Sequence, residues 1–259
     1  PPIEPGTEYY RIFLMPAEGA GGYCAAYQMV PDTPRYDSYT YIVISPGLSA
    51  GNLRSTVAHE FNHACQIGMD VNELVAFMEN TATYIEGIVC PDQWYGTVAS
   101  FSFFNAQPFR PLEYMNIGSS DLYEYGGSLW VTFLEYMYGQ EDPIWLRQVW
   151  ENTVQEGSIN EPDYFDGIQL LLGNDTSFSD AVRAFSRYRY FVGDDSDGQH
   201  FPDAQNWHGA EVVPSVTLHS ADLPLFDQRP TNGEEPRPNG CNYIVLEVDE
   251  AVGFPLGFS

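Results

Sequence analysis

The 259-residue sequence contains no lysine. Its ten basic residues are all arginines and stand against 36 acidic residues, so the formal net charge at pH 7 is −26. A surface this acidic repels the phosphate backbone of nucleic acids and the headgroups of anionic membranes. We therefore expect no nucleic-acid partner and interpret the charge first as a solubility surface. A salt-adapted source fits the same composition.

Long apolar runs are also missing from the sequence. No segment approaches the ~20 apolar residues that a membrane-spanning helix needs, so we expect no membrane insertion. The proline-rich start, Pro1 to Gly6, resembles a trimmed boundary or a linker rather than a signal peptide. Because 44% of the residues are hydrophobic and 15% aromatic, the chain can bury a full core, which excludes a disordered protein.

Cysteine is scarce. The four cysteines allow three different pairings, and no C-x-x-C spacing indicates a thiolate metal site. They are Cys24, Cys65, Cys90 and Cys241. Both disulfides in an oxidising compartment and buried free thiols are compatible with this number. The first alternative fits a secreted or cell-surface protein, which is the location that we expect.

The first part of the chain predicts strands followed by a helix. Residues 9–14 and 39–44 are rich in β-branched and aromatic residues, which favours two short strands. After them, apolar residues recur every four positions and predict a helix that ends near Gly68. This apolar stripe consists of Leu53, Val57, Phe61 and Cys65.

Further helices follow. A second is expected from Asn72, as its N-cap, to Gly87, and a long irregular loop from Trp94 to Ser120. A third is expected from about Tyr125 or Gly126 to Gly139. Three more helices are expected. The first begins at an Asp142 N-cap followed by Pro143, and the other two span residues 163–172 and 178–191.

The sequence changes character after Gly193. Proline, aspartate and glycine become frequent, and two short extended runs at 212–218 and 242–248 predict strands. We therefore expect two domains, residues 1–193 and a β-rich extension over residues 194–259 that forms the start of a β-sandwich.

One motif carries chemistry. His59, Glu60 and His63 form H-E-x-x-H within the first predicted helix. Positions four apart on a helix lie on the same face, about 6 Å apart along its axis, so both imidazoles can reach one zinc ion. Glu60 would flank the metal and act as a general base. The alternative interpretation of the motif, without a metal site, is two exposed histidines beside a surface glutamate.

A catalytic zinc ion usually needs a third protein ligand. The downstream extension found in metzincins is missing, because position 66 is glutamine and position 69 is methionine. The ligand must therefore come from another helix. The second predicted helix offers Glu79 and Glu86, which are seven residues apart and lie on nearly the same face.

The segment from Glu79 to Glu86 resembles the gluzincin class, and more narrowly the peptidase-MA-like proteins. The second helix of those proteins has the pattern W-x-x-E-G-x-A-x-[WY]-x-E, from which this chain departs by Asn80 and by Phe77-Met78 in place of the tryptophan. The resemblance implies that Glu79 is the zinc ligand and that Glu86 orients a ligand histidine. It covers residues 39–191, and only the two zinc-binding segments are specific.

The same resemblance implies a tyrosine that donates a hydrogen bond to the oxyanion of the tetrahedral intermediate. Tyr123 and Tyr125 both lie at the expected entry to the third helix, and either could take this role.

The sequence as a whole therefore predicts an α/β (α+β) zincin-like fold. We expect a small N-terminal sheet, an active-site helix, a helical lower half and the β-rich C-terminal extension. The expected function is hydrolysis of peptide or protein substrates with Zn²⁺ as cofactor. The alternative is a catalytically inactive, zinc-containing binding module or surface-interaction module.

Overall fold

The computed structural model describes residues 1–17, 19–115, 121–140, 144–214, 216–219 and 235–247. Within these ranges, the fold combines a small three-stranded sheet with a larger helical part. The mixed α/β or α+β class that the sequence predicts is confirmed. No helix in the described ranges is both long and apolar enough to cross a membrane. All four cysteines are free thiols.

The sheet consists of β1 (Ile12–Leu14), β2 (Gly22–Met29) and β3 (Ser38–Ile44). The central strand β3 pairs in parallel with β1 and antiparallel with β2. Its β-branched residues are buried, as its composition predicts. Strand β2 is not predicted from the sequence, because its glycine and two alanines weaken the strand signal and most of its residues are exposed.

Helix α1 (Ala50–Ile67) begins at Ser49, whose side chain accepts a hydrogen bond from the backbone N–H of Asn52, and ends at Gly68 as predicted. It packs on β2, β3 and the next helix. The face that it buries is the polar one, which carries His59, Glu60 and His63. Leu53 and Phe61 of the apolar stripe are 38% and 42% exposed.

Helix α2 (Val75–Val89) begins later than the sequence predicts. The N-cap position is Leu74, and no side chain caps the helix. Asn72, the predicted cap, lies two residues earlier, and its backbone N–H donates to the Asp70 carboxylate. The Glu73 carboxylate accepts from the backbone N–H of Leu74. Two buried acids therefore organise the turn before this helix.

The prediction of an irregular loop from Trp94 to Ser120 is wrong for the first half of this segment, which forms helix α3 (Trp94–Asn105). Val98, Phe101 and Phe104 recur at helical spacing and are buried. Gly96, Ser100 and Ser102 in the same segment hide this period in the sequence. Residues 116–120 of the expected loop lie outside the described residues.

Two short helices, α4 (Tyr123–Gly126) and α5 (Ser128–Leu134), are followed by a π-helical turn (Glu135–Gly139) that ends at the predicted glycine. Helix α4 approaches α3 closely. A Cβ atom at Gly126 would lie 2.4 Å from the carbonyl oxygen of Ser100, so only glycine fits there.

The remaining helices are α6 (Trp145–Asn152), α7 (Tyr164–Leu172) and α8 (Phe178–Tyr190). The predicted positions of α7 and α8 are confirmed, and both helices are capped by polar side chains, Asp163 and the Ser177–Asp180 capping box. The cap expected at Asp142 and Pro143 lies outside the described residues.

An aromatic-rich core joins the helices from α2 to α8. A smaller cluster of Ile42, Ile44 and Ala64 fills the space between the sheet and α1. Phe201, Trp207 and Ala210 belong to the main core, so this core continues past the expected domain boundary at residue 193.

The last described strands, β4 (Val216–His219) and β5 (Ile244–Glu247), pair in parallel. Strand β5 lies within the predicted run 242–248, and β4 overlaps the predicted run 212–218 but extends one residue past it, to His219. Ser215 and Val248 of these runs lie outside the described residues. A two-stranded sheet is the extent of β structure described after residue 193, so the β-sandwich stays a prediction.

Candidate metal centre

Three side chains converge where α1 packs on α2. His59 and His63 project from one face of α1, and Glu79 projects from the second turn of α2. One potential ligand atom from each residue lies within 4.8 Å of the other two. The structure thus brings together both histidines of the motif and the first of the two candidate glutamates, and this group could hold a metal ion.

The distances between the donor atoms fit a single small cation. His59 Nε2 lies 2.9 Å from His63 Nε2 and 3.0 Å from Glu79 Oε2, and His63 Nε2 lies 3.5 Å from Glu79 Oε1. Ligands at about 2.0–2.1 Å from a tetrahedral zinc ion would be roughly 3.3 Å apart. Two nitrogens and one oxygen are also a donor set that suits zinc.

Both histidines are held by a hydrogen bond at their other ring nitrogen. His59 Nδ1 lies 2.6 Å from Glu86 Oε1, which is the contact that the resemblance implies for Glu86. His63 Nδ1 lies 2.7 Å from Gln66 Oε1. Gln66 is not among the site residues that the sequence predicts, although its position one helical turn after His63 could have indicated the contact.

Glu60 lies beside the group without belonging to it. The residue is 6% exposed, and its carboxylate is not part of the group that could hold a metal ion. Burial raises the pKa of Glu60, the charges of His59 and His63 lower it, and the charges of Glu79 and Glu86 raise it further. The net result is a pKa above the usual value, so this carboxylate binds a proton more readily than an ordinary glutamate.

The two candidate tyrosines have different surroundings. The ring of Tyr125 stacks on the ring of His59, with centroids 5.9 Å apart. Tyr123 is fully buried, and its hydroxyl donates to the backbone carbonyls of Arg110 and Pro111 at 3.1 and 3.2 Å. The structure therefore places Tyr125 at the metal group and leaves Tyr123 in the core of the helical part.

Burial and the negative charges of Glu79, Glu124 and Glu60 raise the pKa of Tyr125. Its hydroxyl consequently stays protonated throughout the ordinary pH range and can act as a hydrogen-bond donor.

Asn80 links α2 to α4 and thereby sets the position of Tyr125. Its side-chain amide donates to the backbone carbonyl of Glu124 at 2.6 Å, and it is buried. A Cβ atom at Gly127 would collide with this amide, so the glycine leaves room for it. In the sequence Asn80 is only a departure from the family pattern, and its role depends on the packing of two distant segments.

The charges of His59 and Glu79 act strongly on each other. Burial would lower the pKa of His59, but the hydrogen bonds that it donates to Glu79 and Glu86 outweigh burial and raise this pKa. Burial would likewise raise the pKa of Glu79, but both histidines lower it. With Glu60 beside them, three carboxylates surround two imidazoles, and this excess of negative charge attracts a cation.

No known family model, curated protein or solved structure matches this chain. The likeness to the gluzincins consequently remains a prediction that rests on the two motif segments and on the geometry of this site.

Proposed function

We propose that the protein is a zinc-dependent peptidase. The observation that carries the proposal is the convergence of His59, His63 and Glu79 beside a buried Glu60. Three protein ligands with an open fourth position are typical of catalytic zinc, whereas structural zinc sites have four protein ligands. The spacing and the donor atoms agree with that arrangement.

When bound, a zinc ion supplies Lewis acidity, which polarises a substrate carbonyl and lowers the pKa of a water molecule. The side chains around it do the rest. His59, His63 and Glu79 hold the ion, and Glu86 fixes the orientation of the His59 ring through Nδ1. Glu60 accepts a proton from the attacking water and delivers it to the leaving amine.

Tyr125 is the better candidate for the oxyanion donor. Its ring is stacked on His59 and its raised pKa keeps the hydroxyl proton available, whereas both acceptors of Tyr123 are backbone carbonyls in the core. A donor at this place would stabilise the negative charge that develops on the substrate carbonyl oxygen.

The finer description of the fold belongs to the same proposal. In a zincin-like interpretation, the three-stranded sheet covers α1 from one side, and the helices from α2 onward form the lower half. Peptides or proteins would be the substrates, and a secreted or cell-surface location would bring the protein into contact with them.

Metal content and chelation test this proposal. Protein purified without chelator should contain one zinc ion per chain by elemental analysis. It should cleave members of a mixed peptide library, lose the activity with 1,10-phenanthroline and regain it when zinc is added. Protein that contains no zinc and takes up none would contradict the metal site. Protein that binds zinc and peptides without cleaving them would favour the binding module.

A further inference from the structure

Gln66 and Thr81 form a buried hydrogen-bond chain behind His63. Gln66 is 2% exposed and Thr81 is fully buried. Gln66 Nε2 donates to the backbone carbonyl of Met78 at 3.0 Å and to Thr81 Oγ1 at 2.6 Å. The Thr81 hydroxyl lies 2.9 Å from the Phe77 carbonyl and donates to it. Every polar atom of the chain therefore has a partner.

This chain determines the orientation of the Gln66 amide. The Met78 carbonyl can only accept a hydrogen bond, so the amide nitrogen of Gln66 must face it. The amide oxygen is then left facing His63 Nδ1 at 2.7 Å. Because that oxygen can only accept, Nδ1 carries a proton, and in the neutral imidazole that a metal ion requires, His63 Nε2 then keeps the lone pair that points toward His59 and Glu79.

We infer that Gln66, supported by Thr81, is a positioning residue that pre-sets His63 as a metal ligand. This inference rests on the proposed zinc site. Without Gln66, Nδ1 would have no acceptor, and a neutral His63 could carry its proton on Nε2 instead. Binding the metal would then require the loss of that proton or a change of tautomer, together with the ordering of a freer ring.

The two histidines of the site are thus held by chemically different partners. The partner of His59 is an acid, Glu86, whose side chain is 25% exposed, whereas the partner of His63 is a buried amide, Gln66. A carboxylate in place of Gln66 would face the Met78 carbonyl with an oxygen instead of a donor, and would bury another negative charge. An amide orients the second histidine without that cost.

Zinc affinity, measured by competition with a chelator of known affinity, tests the inference. Gln66→Met keeps most of the side-chain length but removes the acceptor for His63 Nδ1, and it should weaken zinc binding by about 10- to 100-fold. Thr81→Val removes one acceptor of the Gln66 amide and should weaken binding by a smaller factor. Thr81→Ser keeps the hydroxyl and should restore the affinity.

Thr83 supplies a matched control on the same helix. It is also buried, but its hydroxyl has no hydrogen-bond partner among the described residues. Thr83→Val is the same substitution as Thr81→Val and should leave zinc affinity unchanged.

A second measurement reports on the hydrogen bond itself. In zinc-loaded protein labelled with ¹⁵N, the His63 Nδ1–H proton should give a signal protected from exchange with water, because Gln66 Oε1 accepts it. The signal should exchange faster in Thr81→Val and be lost in Gln66→Met. Thermal unfolding of the zinc-free variants separates a general loss of stability from a loss of zinc affinity.

The outcomes distinguish this inference from the proposed function. Wild-type protein that binds no zinc would remove the site on which the inference is built. If wild type binds zinc, and Gln66→Met or Thr81→Val binds it as tightly with an unchanged exchange rate at His63, the zinc site stands and the positioning role is overturned. Should Gln66→Met fail to fold, Thr81→Val measured against Thr83→Val and Thr81→Ser decides the question.

Discussion

At the scale of single residues, Glu79 and Glu86 share a face of α2 but reach different atoms of His59. Glu79 Oε2 lies 3.0 Å from Nε2, on the side where the second imidazole converges. Glu86 Oε1 lies 2.6 Å from Nδ1, on the opposite side of the ring. Only Glu79 is therefore placed to share a metal ion with both histidines.

We predict that the two glutamates respond differently to substitution. Glu79→Ala leaves two protein ligands and should release zinc during dialysis, whereas Glu86→Ala should retain zinc with an affinity lowered about 10- to 100-fold. Elemental analysis and chelator competition on both variants measure the difference. A metal-free Glu86→Ala together with a zinc-loaded Glu79→Ala would reverse the assignment.

Glu73 gives a prediction about stability and pH. It is 2% exposed, its Oε2 atom has no hydrogen-bond partner among the described residues, and burial raises its pKa to about 7. Because its pKa is higher in the folded state, Glu73 stabilises the fold in its protonated form, and this stabilisation is complete below the unfolded-state pKa of 4.5. That contribution is lost as the pH rises through about 7.

Replacing Glu73 by glutamine removes this titration. The variant should therefore gain stability over wild type as the pH rises from 4 to 8, by up to about 3 kcal/mol in the free energy of unfolding. Urea unfolding at both pH values measures the gain, and Glu156→Gln at an exposed position is the control. A gain of the same size at pH 4 and pH 8 would show that Glu73 does not titrate in this range.

At the scale of helices and strands, local signals were sufficient where a polar cap or a uniform composition marked the element. The Ser177–Asp180 capping box and the Asp163 cap located α8 and α7, and the β-branched run located β3. Strand β2 and helix α3 were missed because their identity depends on the neighbours against which they pack.

The candidate site divides in the same way. Spacing on one helix was enough to predict His59, Glu60 and His63. The prediction of Glu79 required a comparison with a known pattern. The contact of Gln66 with His63 could have been predicted from their spacing on α1. Thr81 and Asn80 could not be predicted from the sequence, because their partners are a side chain and backbone carbonyls that only the packed structure brings to them.

The close contact between α3 and α4 gives a prediction at this scale. Gly126→Ala would place a Cβ atom 2.4 Å from the Ser100 carbonyl oxygen and 2.6 Å from Phe104 Cβ. It should lower the free energy of unfolding by about 1–3 kcal/mol and displace α4 together with Tyr125. The control is Gly96→Ala within α3, where a Cβ meets no atom within 4 Å and should stabilise the helix. Equal effects of the two substitutions would contradict the close packing.

At the scale of the whole molecule, the net charge of −26 gives a prediction about salt. Carboxylates repel one another across the surface and destabilise the compact state, and salt screens this repulsion as the Debye length falls from about 10 Å at 0.1 M to 3 Å at 1 M. The thermal midpoint of unfolding should therefore rise with sodium chloride over this range. Sucrose at equal osmolality is the control for effects other than screening, and an unchanged or falling midpoint in salt would contradict the argument.

The central claim concerns the whole molecule as an enzyme, and Glu60→Gln tests it most directly. Glutamine keeps the size of the side chain but cannot accept a proton from water. Zinc content should therefore stay at one ion per chain while peptide hydrolysis falls by at least ~10²–10⁴-fold, which corresponds to about 2.7–5.4 kcal/mol of transition-state stabilisation. The claim that this site is a zinc peptidase would be contradicted if zinc-loaded wild type and Glu60→Gln cleaved peptides at the same rate. It would also be contradicted if both bound peptides equally and cleaved none.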